Sequence, residues 1–170
     1  MKNSLNLWLI SLLSIVLVLS SSVPKPVYAT GLQPGTFLER EIECLARNIY
    51  YEAGNESFEG KVAVAQVTVN RSEDERFPES VCSVVNQKTS FANKIVCQFS
   101  WVCTKKRAKI DYENWLEAKE VAEKVLLDGF RLAKLKDALY FHATHVNPNW
   151  GKVKVAKIGN HIFYKDRIKS

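Results

Sequence analysis

The stretch CLARNIYYEAGNESFEGKVAVAQVTVNR, residues 44–71, joins an amphipathic segment to an apolar one through Gly54 and Asn55. The amphipathic segment begins upstream, where Thr36 and Glu39 have the spacing of a capping box, and Gly54 is a common residue at a helix end. Its apolar residues recur at helical spacing and form one face, which comprises Ile42, Leu45, Ala46 and Ile49. These features predict a first helix that begins after Thr36 and ends near Gly54.

The apolar run FEGKVAVAQVTVNR, residues 58–71, fits either a strand or a helix. Its valines alternate in pairs, and β-branched side chains favour strands. The run also has a helical stripe, made of Phe58, Val62, Ala65 and Val69, and Ser57 is a suitable N-cap. Because a buried helix can be apolar on most of its sides, we favour a second, buried helix.

Two segments with weaker secondary-structure patterns follow the apolar run. RFPESVCSVVNQ, residues 76–87, predicts a turn and then a short helix, with Pro78 at the N-terminal end of that helix. The stretch from Thr89 to Ile110 has no clear period, so we expect an irregular region that cysteines hold in place.

The C-terminal part contains the cleanest helix and a hairpin. DYENWLEAKEVAEKVLLDG, residues 111–129, has Asp111 as a cap, a regular apolar face and Gly129 as a stop. KVKVAKIGNHIFYK, residues 152–165, alternates on both sides of a turn at Gly159, as hairpin strands do. The chain is therefore predicted to be an α+β protein, mainly helical with a small C-terminal antiparallel sheet.

The first 29 residues have the order of a secretory signal peptide. A basic start at Lys2 precedes an apolar stretch from Leu5 to Leu19, and Val27-Tyr28-Ala29 has the form of a cleavage site. An uncleaved anchor is the alternative, but the stretch is shorter than the roughly 20 apolar residues that a membrane span needs. The predicted organisation is a signal peptide at 1–29, a linker at 30–35 and one folded domain at 36–170.

Four cysteines lie in the predicted mature part: Cys44, Cys82, Cys97 and Cys103. An even number in an exported chain indicates disulfides, but the sequence leaves their pairing open. A zinc site is the alternative. We favour disulfides because the spacing of Cys97 and Cys103 is wider than that of a usual thiolate pair.

The formal charge of +6 falls to +4 when Lys2 and Lys25 leave with the signal peptide. A mildly basic exported protein suits acidic partners such as cell-wall polymers, although ordinary solubility explains the same charge. The sequence has no phosphate loop and no nucleic-acid motif, and we interpret the basic run KKRAK, residues 105–109, as a solvated loop.

Three glutamates in the opening stretch differ in what they can do. Glu52 follows Tyr50-Tyr51 at the end of the first helix, where an apolar setting and the helix dipole both disfavour the ionised carboxylate. A protonated carboxyl is what a general acid needs, but a solvated glutamate fits the same pattern. Glu56 fits a second acid or a backbone hydrogen-bonding role, and we favour the latter. Glu59 suits the first turn of the second helix.

Histidines and aromatic residues provide weaker signals. His142 and His145 would need a third ligand to bind zinc, the sequence has no HExxH motif, and we predict neither a metal site nor a cofactor. His142 fits the lining of a cleft or a packed interior. Six aromatic residues fit either sugar stacking or the core, namely Tyr50, Tyr51, Phe99, Trp101, Tyr140 and Trp150.

The segment ARNIYYEAGNESFEGKVAVAQVTVNR, residues 46–71, resembles the signature of the SleB/CwlJ-type cell wall hydrolases, which include spore-cortex-lytic enzymes. Further matches follow in the same order: RFPESVCSVVNQ, CQFSWVC, ALYFHATHVNPNW and IGNHIFY. The resemblance covers roughly residues 41–164, which is nearly the whole predicted mature chain.

The resemblance implies a lysozyme-like fold for a catalytic domain at 36–170 and cleavage of the glycan strands of peptidoglycan. It places the family's catalytic glutamate on Glu52. Glu56, Asn70 and Arg71 match recurring signature positions and are interpreted as supporting residues. The predicted substrate-binding or supporting set is completed by Tyr51, Phe99, Trp101, Tyr140 and His142.

A single strong acid candidate favours lytic transglycosylation. Glu52 would protonate the oxygen between N-acetylmuramic acid and N-acetylglucosamine and then take a proton from the muramoyl C6 hydroxyl, which forms a 1,6-anhydro ring. Lysozyme-type hydrolysis, a non-catalytic wall-binding protein and a zinc amidase are the alternatives. The expected partner is peptidoglycan, with no nucleic acid and no membrane after signal cleavage, for an exported monomer in the periplasm or cell wall.

Overall fold

The computed structural model describes residues 35–104 and 109–167. The predicted signal peptide and nearly all of the predicted linker lie outside these residues. The helices are α1 (Phe37–Ala53), α2 (Phe58–Ser72), α3 (Val81–Val85) and α4 (Tyr112–Leu126). The strands are β1 (Lys88–Phe91), β2 (Lys94–Cys97), β3 (Tyr140–Ala143), β4 (Val153–Ile158) and β5 (His161–Lys165). Among the described residues, no helix has both the length and the apolar character needed to cross a membrane.

The two ends of α1 lie where the sequence predicts them. The Thr36 hydroxyl accepts a hydrogen bond from Glu39 N at 3.1 Å, and the Glu39 carboxylate reaches back to Gly35 N at 2.8 Å. One backbone donor in the first turn and one just before the N-cap are thereby satisfied. The helix ends at Ala53, one residue before Gly54.

The apolar run after Ser57 is a helix, as predicted, and α2 is buried along almost its whole length. Its two sides face different partners, which explains why it is apolar all round. One side packs into a core with α1 and α4 through Val62, Ala65 and Val69. The other side packs on the C-terminal sheet through Ala63, Val64 and Val67.

The C-terminal hairpin is confirmed and belongs to a three-stranded antiparallel sheet with the strand order β3-β5-β4. Its turn is tight because Gly159 has a φ of +53°, a conformation that is costly for residues with a Cβ. Phe163 is fully buried at the centre of the sheet and faces α2. These elements confirm the predicted α+β class with a mainly helical body.

Two local predictions are wrong. Residues 88–97 form an exposed hairpin, β1 and β2, that turns at Ala92 and Asn93, where an irregular region was predicted. Its turn lacks the glycine that usually marks such a hairpin. Pro78 also lies outside α3, which begins at Val81, because the Ser80 hydroxyl caps that helix by accepting from Ser83 N.

The four cysteines form two disulfides, Cys44–Cys82 and Cys97–Cys103, as the even count suggests. The first joins α1 to α3. Buried Glu41 reinforces the same contact, because its carboxylate accepts a hydrogen bond from Val81 N at 2.6 Å at the start of α3. The second joins the end of β2 to a short 3-10 helix, Ser100–Cys103.

Candidate active site

Glu52 lies in the last turn of α1, beside a surface pocket of about 400 Å³. The pocket forms where α1 stops and the chain turns towards α2. Its lining combines this turn with side chains from α4 and from the β4–β5 turn, and comprises Tyr50, Tyr51, Glu52, Ala53, Gly54, Asn55, Glu56, Asn114 and Asn160. The end of the helix therefore presents a half-buried carboxyl group to an open pocket.

Burial raises the pKa of the Glu52 carboxyl above its ordinary value of 4.5, and the positive charge of Arg71 opposes this shift. Arg71 is itself buried, which lowers its pKa to about 10, so that it stays charged at neutral pH. A raised pKa favours the protonated form of Glu52, whereas the nearby cation limits the cost of its ionised form. Burial and the charge of Arg71 thus act on the pKa of the Glu52 carboxyl in opposite directions, and burial has the larger effect.

Arg71 is held from several sides. Its Nε donates to Leu139 O at 2.8 Å, and its guanidinium carbon lies 5.6 Å from the Phe99 ring centre and 6.0 Å from that of Tyr140. Among the described residues its Nη1 has no hydrogen-bond partner. Phe99 is buried beneath this cation, so it supports Arg71 rather than presenting a ring at the surface.

Tyr51 lines the pocket and packs against Trp101, which lies far away in the sequence and is not part of the lining. Their rings stack with centres 4.6 Å apart. Trp101 Nε1 donates to Asn48 Oδ1 at 3.2 Å, and Asn48 in turn donates to Thr68 Oγ1 at 3.0 Å. This buried polar chain fixes the tryptophan on the junction of α1 and α2, where Tyr51 lines the pocket.

Tyr140 and His142 project from the same face of β3, and neither belongs to the lining of the Glu52 pocket. The Tyr140 hydroxyl donates to Asp166 Oδ2 at 3.1 Å. His142 Nδ1 lies 2.9 Å from Ala143 O, which can only accept, and its Nε2 lies 2.8 Å from the Tyr164 hydroxyl. Both ring nitrogens are therefore engaged. Among the described residues, no group of three or more potential ligands has a metal-binding arrangement.

Asn70 and Arg71 place the segment that leads into β3. Asn70 Nδ2 donates to Leu135 O at 2.9 Å and to Ala138 O at 2.8 Å, next to the bond from Arg71 to Leu139 O. The last turn of α2 therefore satisfies three backbone carbonyls of an irregular segment. Such carbonyls would otherwise be costly to bury.

Glu56 lines the same pocket as Glu52, but its carboxylate is tied to the sheet. It accepts from Asn160 N at 3.2 Å and from Asn160 Nδ2 at 3.0 Å, and its side chain is only 10% exposed. A Cβ at Gly159 would lie 1.9 Å from Glu56 Oε2. Sequence reasoning missed Asn160 as a functional partner, because Gly159 and Asn160 were interpreted only as a turn.

Replacing Gly159 with alanine should lower the free energy of unfolding more than the same change at Gly129. Both glycines have a positive φ, which costs about 1–2 kcal/mol for an L-residue. Only at Gly159 would the new Cβ also collide with Glu56, whereas Gly129 faces open space. Urea unfolding of both variants measures the difference, and equal losses would contradict the close approach of Glu56.

A larger pocket of about 480 Å³ lies around Asp166 and is lined mainly by charged residues. Several of these are already paired, since Arg76 contacts both Asp74 and Asp166, and Lys165 faces Asp137. Hydrogen bonds from Lys152, Arg76 and Tyr140 lower the pKa of the Asp166 carboxyl despite an opposing effect of burial. A carboxylate held ionised in this way is unsuited to donate a proton, so the Glu52 pocket is the candidate active site.

The fold and the site together define a small α+β domain in which an open pocket is lined by Glu52, a half-buried carboxyl with a raised pKa. The chain belongs to the cell wall hydrolase family, whose family model matches residues 55–164. The predicted membership of the SleB/CwlJ-type hydrolases is thereby confirmed. The matched range begins just after Glu52, so the role of that residue rests on its geometry.

Curated relatives and solved structures agree with this assignment. The spore cortex-lytic enzyme of Bacillus subtilis (strain 168) is 30% identical over 138 residues, which cover 76% of this chain and 39% of the relative. That of Oceanobacillus iheyensis is 29% identical over 140 residues, which cover 78% and 44%. The chain thus spans about two fifths of the length of these relatives.

Two solved structures have the same fold. The catalytic domain of the germination-specific lytic transglycosylase SleB from Bacillus anthracis is 28% identical, with a TM-score of 0.55, over 78% of this chain and all of that one. The catalytic domain of the Bacillus cereus SleB protein is 24% identical, with a TM-score of 0.58, over 78% and 94%. The second likeness concerns the fold alone.

Proposed function

We propose that this chain cleaves the glycan strands of peptidoglycan between N-acetylmuramic acid and N-acetylglucosamine, with Glu52 as the single catalytic acid and base. The products would carry 1,6-anhydromuramoyl ends. The observation that carries the proposal is the half-buried Glu52 carboxyl, which lines an open pocket and has a raised pKa. Membership of the cell wall hydrolase family supports the substrate class.

In the proposed reaction, protonated Glu52 donates its proton to the glycosidic oxygen as the bond from that oxygen to muramoyl C1 breaks. The resulting Glu52 carboxylate then removes the proton of the muramoyl C6 hydroxyl, whose oxygen bonds to C1. The carboxyl is thereby protonated again, and no water is consumed. The attacking hydroxyl belongs to the same sugar, so the step gains from proximity. The charge of Arg71 stabilises the intervening carboxylate.

Lysozyme-type hydrolysis of the same bond is the alternative, and it commonly uses a second carboxylate. Glu56 is the other carboxylate in the pocket. To activate water it would have to release two hydrogen bonds to Asn160 from a largely buried position. This observation supports a mechanism with one acid.

The proposal also covers where the chain acts and in which assembly state. We propose that the chain acts outside the cytoplasm as a monomer, after removal of a signal peptide at residues 1–29. The stacked pair of Tyr51 and Trp101 beside the pocket is suited to contact a sugar ring.

Product analysis tests the proposal directly. Purified peptidoglycan is digested in water labelled with heavy oxygen, and the released fragments are analysed by mass spectrometry. Transglycosylation should give anhydro ends that lack one water and carry no label. Labelled reducing ends as the sole products would overturn transglycosylation in favour of hydrolysis. Intact strands after digestion with folded protein would contradict both forms of cleavage.

A further inference from the structure

We infer that Glu56 and Asn160 form a clamp that positions the Glu52 carboxyl, so that Glu56 is a positioning residue rather than a second acid. This inference rests on the proposed function for its effect on turnover. Its geometric part, a fixed link between the end of α1 and the β4–β5 turn, stands on the contacts alone.

The clamp joins two parts of the chain that are 104 residues apart. Both carboxylate oxygens of Glu56 are used, one by the backbone N–H and the other by the side-chain amide of Asn160. Hydrogen bonds to a charged acceptor are stronger than neutral ones. A carboxylate that receives two donors from one residue is held in orientation as well as in place.

Two glycines, one in α2 and one in the β4–β5 turn, make room for the Glu56 side chain. Besides the 1.9 Å approach at Gly159, a Cβ at Gly60 in α2 would lie 2.8 Å from Glu56 Cβ. Larger residues at either position would displace the side chain. The first turn of α2 and the turn of the sheet therefore both fit closely around Glu56.

Glu56 is also linked by its backbone to the helix that carries the acid. Glu56 N donates to Ala53 O at 3.0 Å, and Ala53 directly follows Glu52. The same residue thus closes the turn after α1 with its main chain and holds the sheet with its side chain. Because Glu52, Glu56 and Asn160 line one pocket, a shift of the clamp moves one wall of the site relative to the acid.

The buried neighbour of the clamp is His161, whose Nδ1 lies 3.9 Å from Glu56 Oε1 and has no hydrogen-bond partner among the described residues. Burial lowers the pKa of His161, outweighing the opposite effect of Glu56. A neutral imidazole gives Glu56 no strong competing ion pair. Asn160 therefore remains the partner that orients the carboxylate.

A residue swap tests the clamp. Asn160→Asp places two carboxylates face to face and should break the clamp. Adding Glu56→Gln should restore both hydrogen bonds: the new amide at position 56 donates to the new carboxylate at position 160, and its oxygen still accepts from the backbone N–H of residue 160. We expect Asn160→Asp to lower kcat on soluble glycan strands about tenfold to a hundredfold, the scale expected for a small misplacement of reacting groups. KM should change less than about threefold, and the double variant should recover most of kcat.

A second measurement separates this inference from the proposed function. The carboxyl-carbon NMR shift of Glu52, followed through its titration, should change in Asn160→Asp and return in the double variant. If wild type cleaves no glycan, the proposed function fails, while the same NMR titration in Asn160→Ala, which removes the side-chain donor without adding a charge, still decides whether the clamp positions Glu52. Asn93→Asp, which adds the same charge at the exposed β1–β2 turn, is the matched control.

Three results would overturn the inference. One is an Asn160→Asp variant with wild-type kcat and an unchanged Glu52 titration. Another is a double variant that recovers neither quantity. The third is a purely structural pattern, in which Asn160→Asp lowers the melting temperature but each folded molecule keeps its turnover and its Glu52 shift.

Discussion

Glu52→Gln should lower turnover on peptidoglycan by at least about 10²–10⁴-fold, the contribution expected of a positioned general acid. Glutamine has nearly the same shape as glutamate but cannot give a proton to the glycosidic oxygen or take one from the C6 hydroxyl. Release of soluble glycan fragments per folded molecule measures the effect. A non-catalytic wall-binding protein would keep its function with this change.

Glu59→Gln is the matched control, because Glu59 lies in the first turn of α2 and is half exposed in a surface ion pair with Lys134. Surface ion pairs contribute little to stability, so this variant should keep wild-type turnover. If both variants lost activity equally, general disturbance of the fold would explain the loss. If neither did, Glu52 would not be the acid.

The stability of Glu52→Gln provides an independent check with a defined sign. Burial raises the pKa of Glu52, so ionisation of this group opposes folding, and its destabilising effect grows as the pH rises above 4.5 and through the folded-state pKa. Glutamine does not ionise. The variant should therefore gain stability relative to wild type at neutral pH, and this gain should fall away below pH 4.5.

The elements that sequence predicts well are those with local causes. The capping box at Thr36 fixes the start of α1, and Gly159 fixes the turn of the C-terminal hairpin through its own backbone conformation. The apolar run of α2 was ambiguous because helix and strand patterns coincide there. The helix is apolar on all sides because both of its faces are covered, by α1 and α4 on one side and by the sheet on the other.

The site was less predictable because its parts meet only in the folded chain. The position of Glu52 at a helix end is a local feature and could be identified. The clamp between Glu56 and Asn160 joins residues 104 positions apart, and no sequence period or spacing predicts it. The cation of Arg71 behind the acid likewise depends on the packing of α2 against α1. In both cases the residue type was visible, but its partner was not.

Removing the Cys44–Cys82 disulfide should lower the free energy of unfolding more than removing Cys97–Cys103. It closes a loop with a sequence separation of 38, against 6 for Cys97–Cys103. The chain-entropy relation predicts that the free energy of unfolding falls by about 4 kcal/mol without Cys44–Cys82 and by about 2 kcal/mol without Cys97–Cys103. The reason is that a longer closed loop restricts the unfolded chain more. Denaturant unfolding of Cys44→Ala/Cys82→Ala and Cys97→Ala/Cys103→Ala measures the difference.

The two disulfides also differ in what surrounds them, which sharpens the comparison. The contact between α1 and α3 should keep the buried hydrogen bond from Val81 N to the Glu41 carboxylate when Cys44–Cys82 is removed. The Cys44→Ala/Cys82→Ala variant should therefore stay folded at low temperature, so that its loss of stability can be measured. The exposed hairpin β1–β2 packs with little besides the segment that Cys97–Cys103 holds, so the second variant should loosen locally while the global loss stays small. Equal losses, or a reversed order, would show that loop closure is not the main contribution of these bonds.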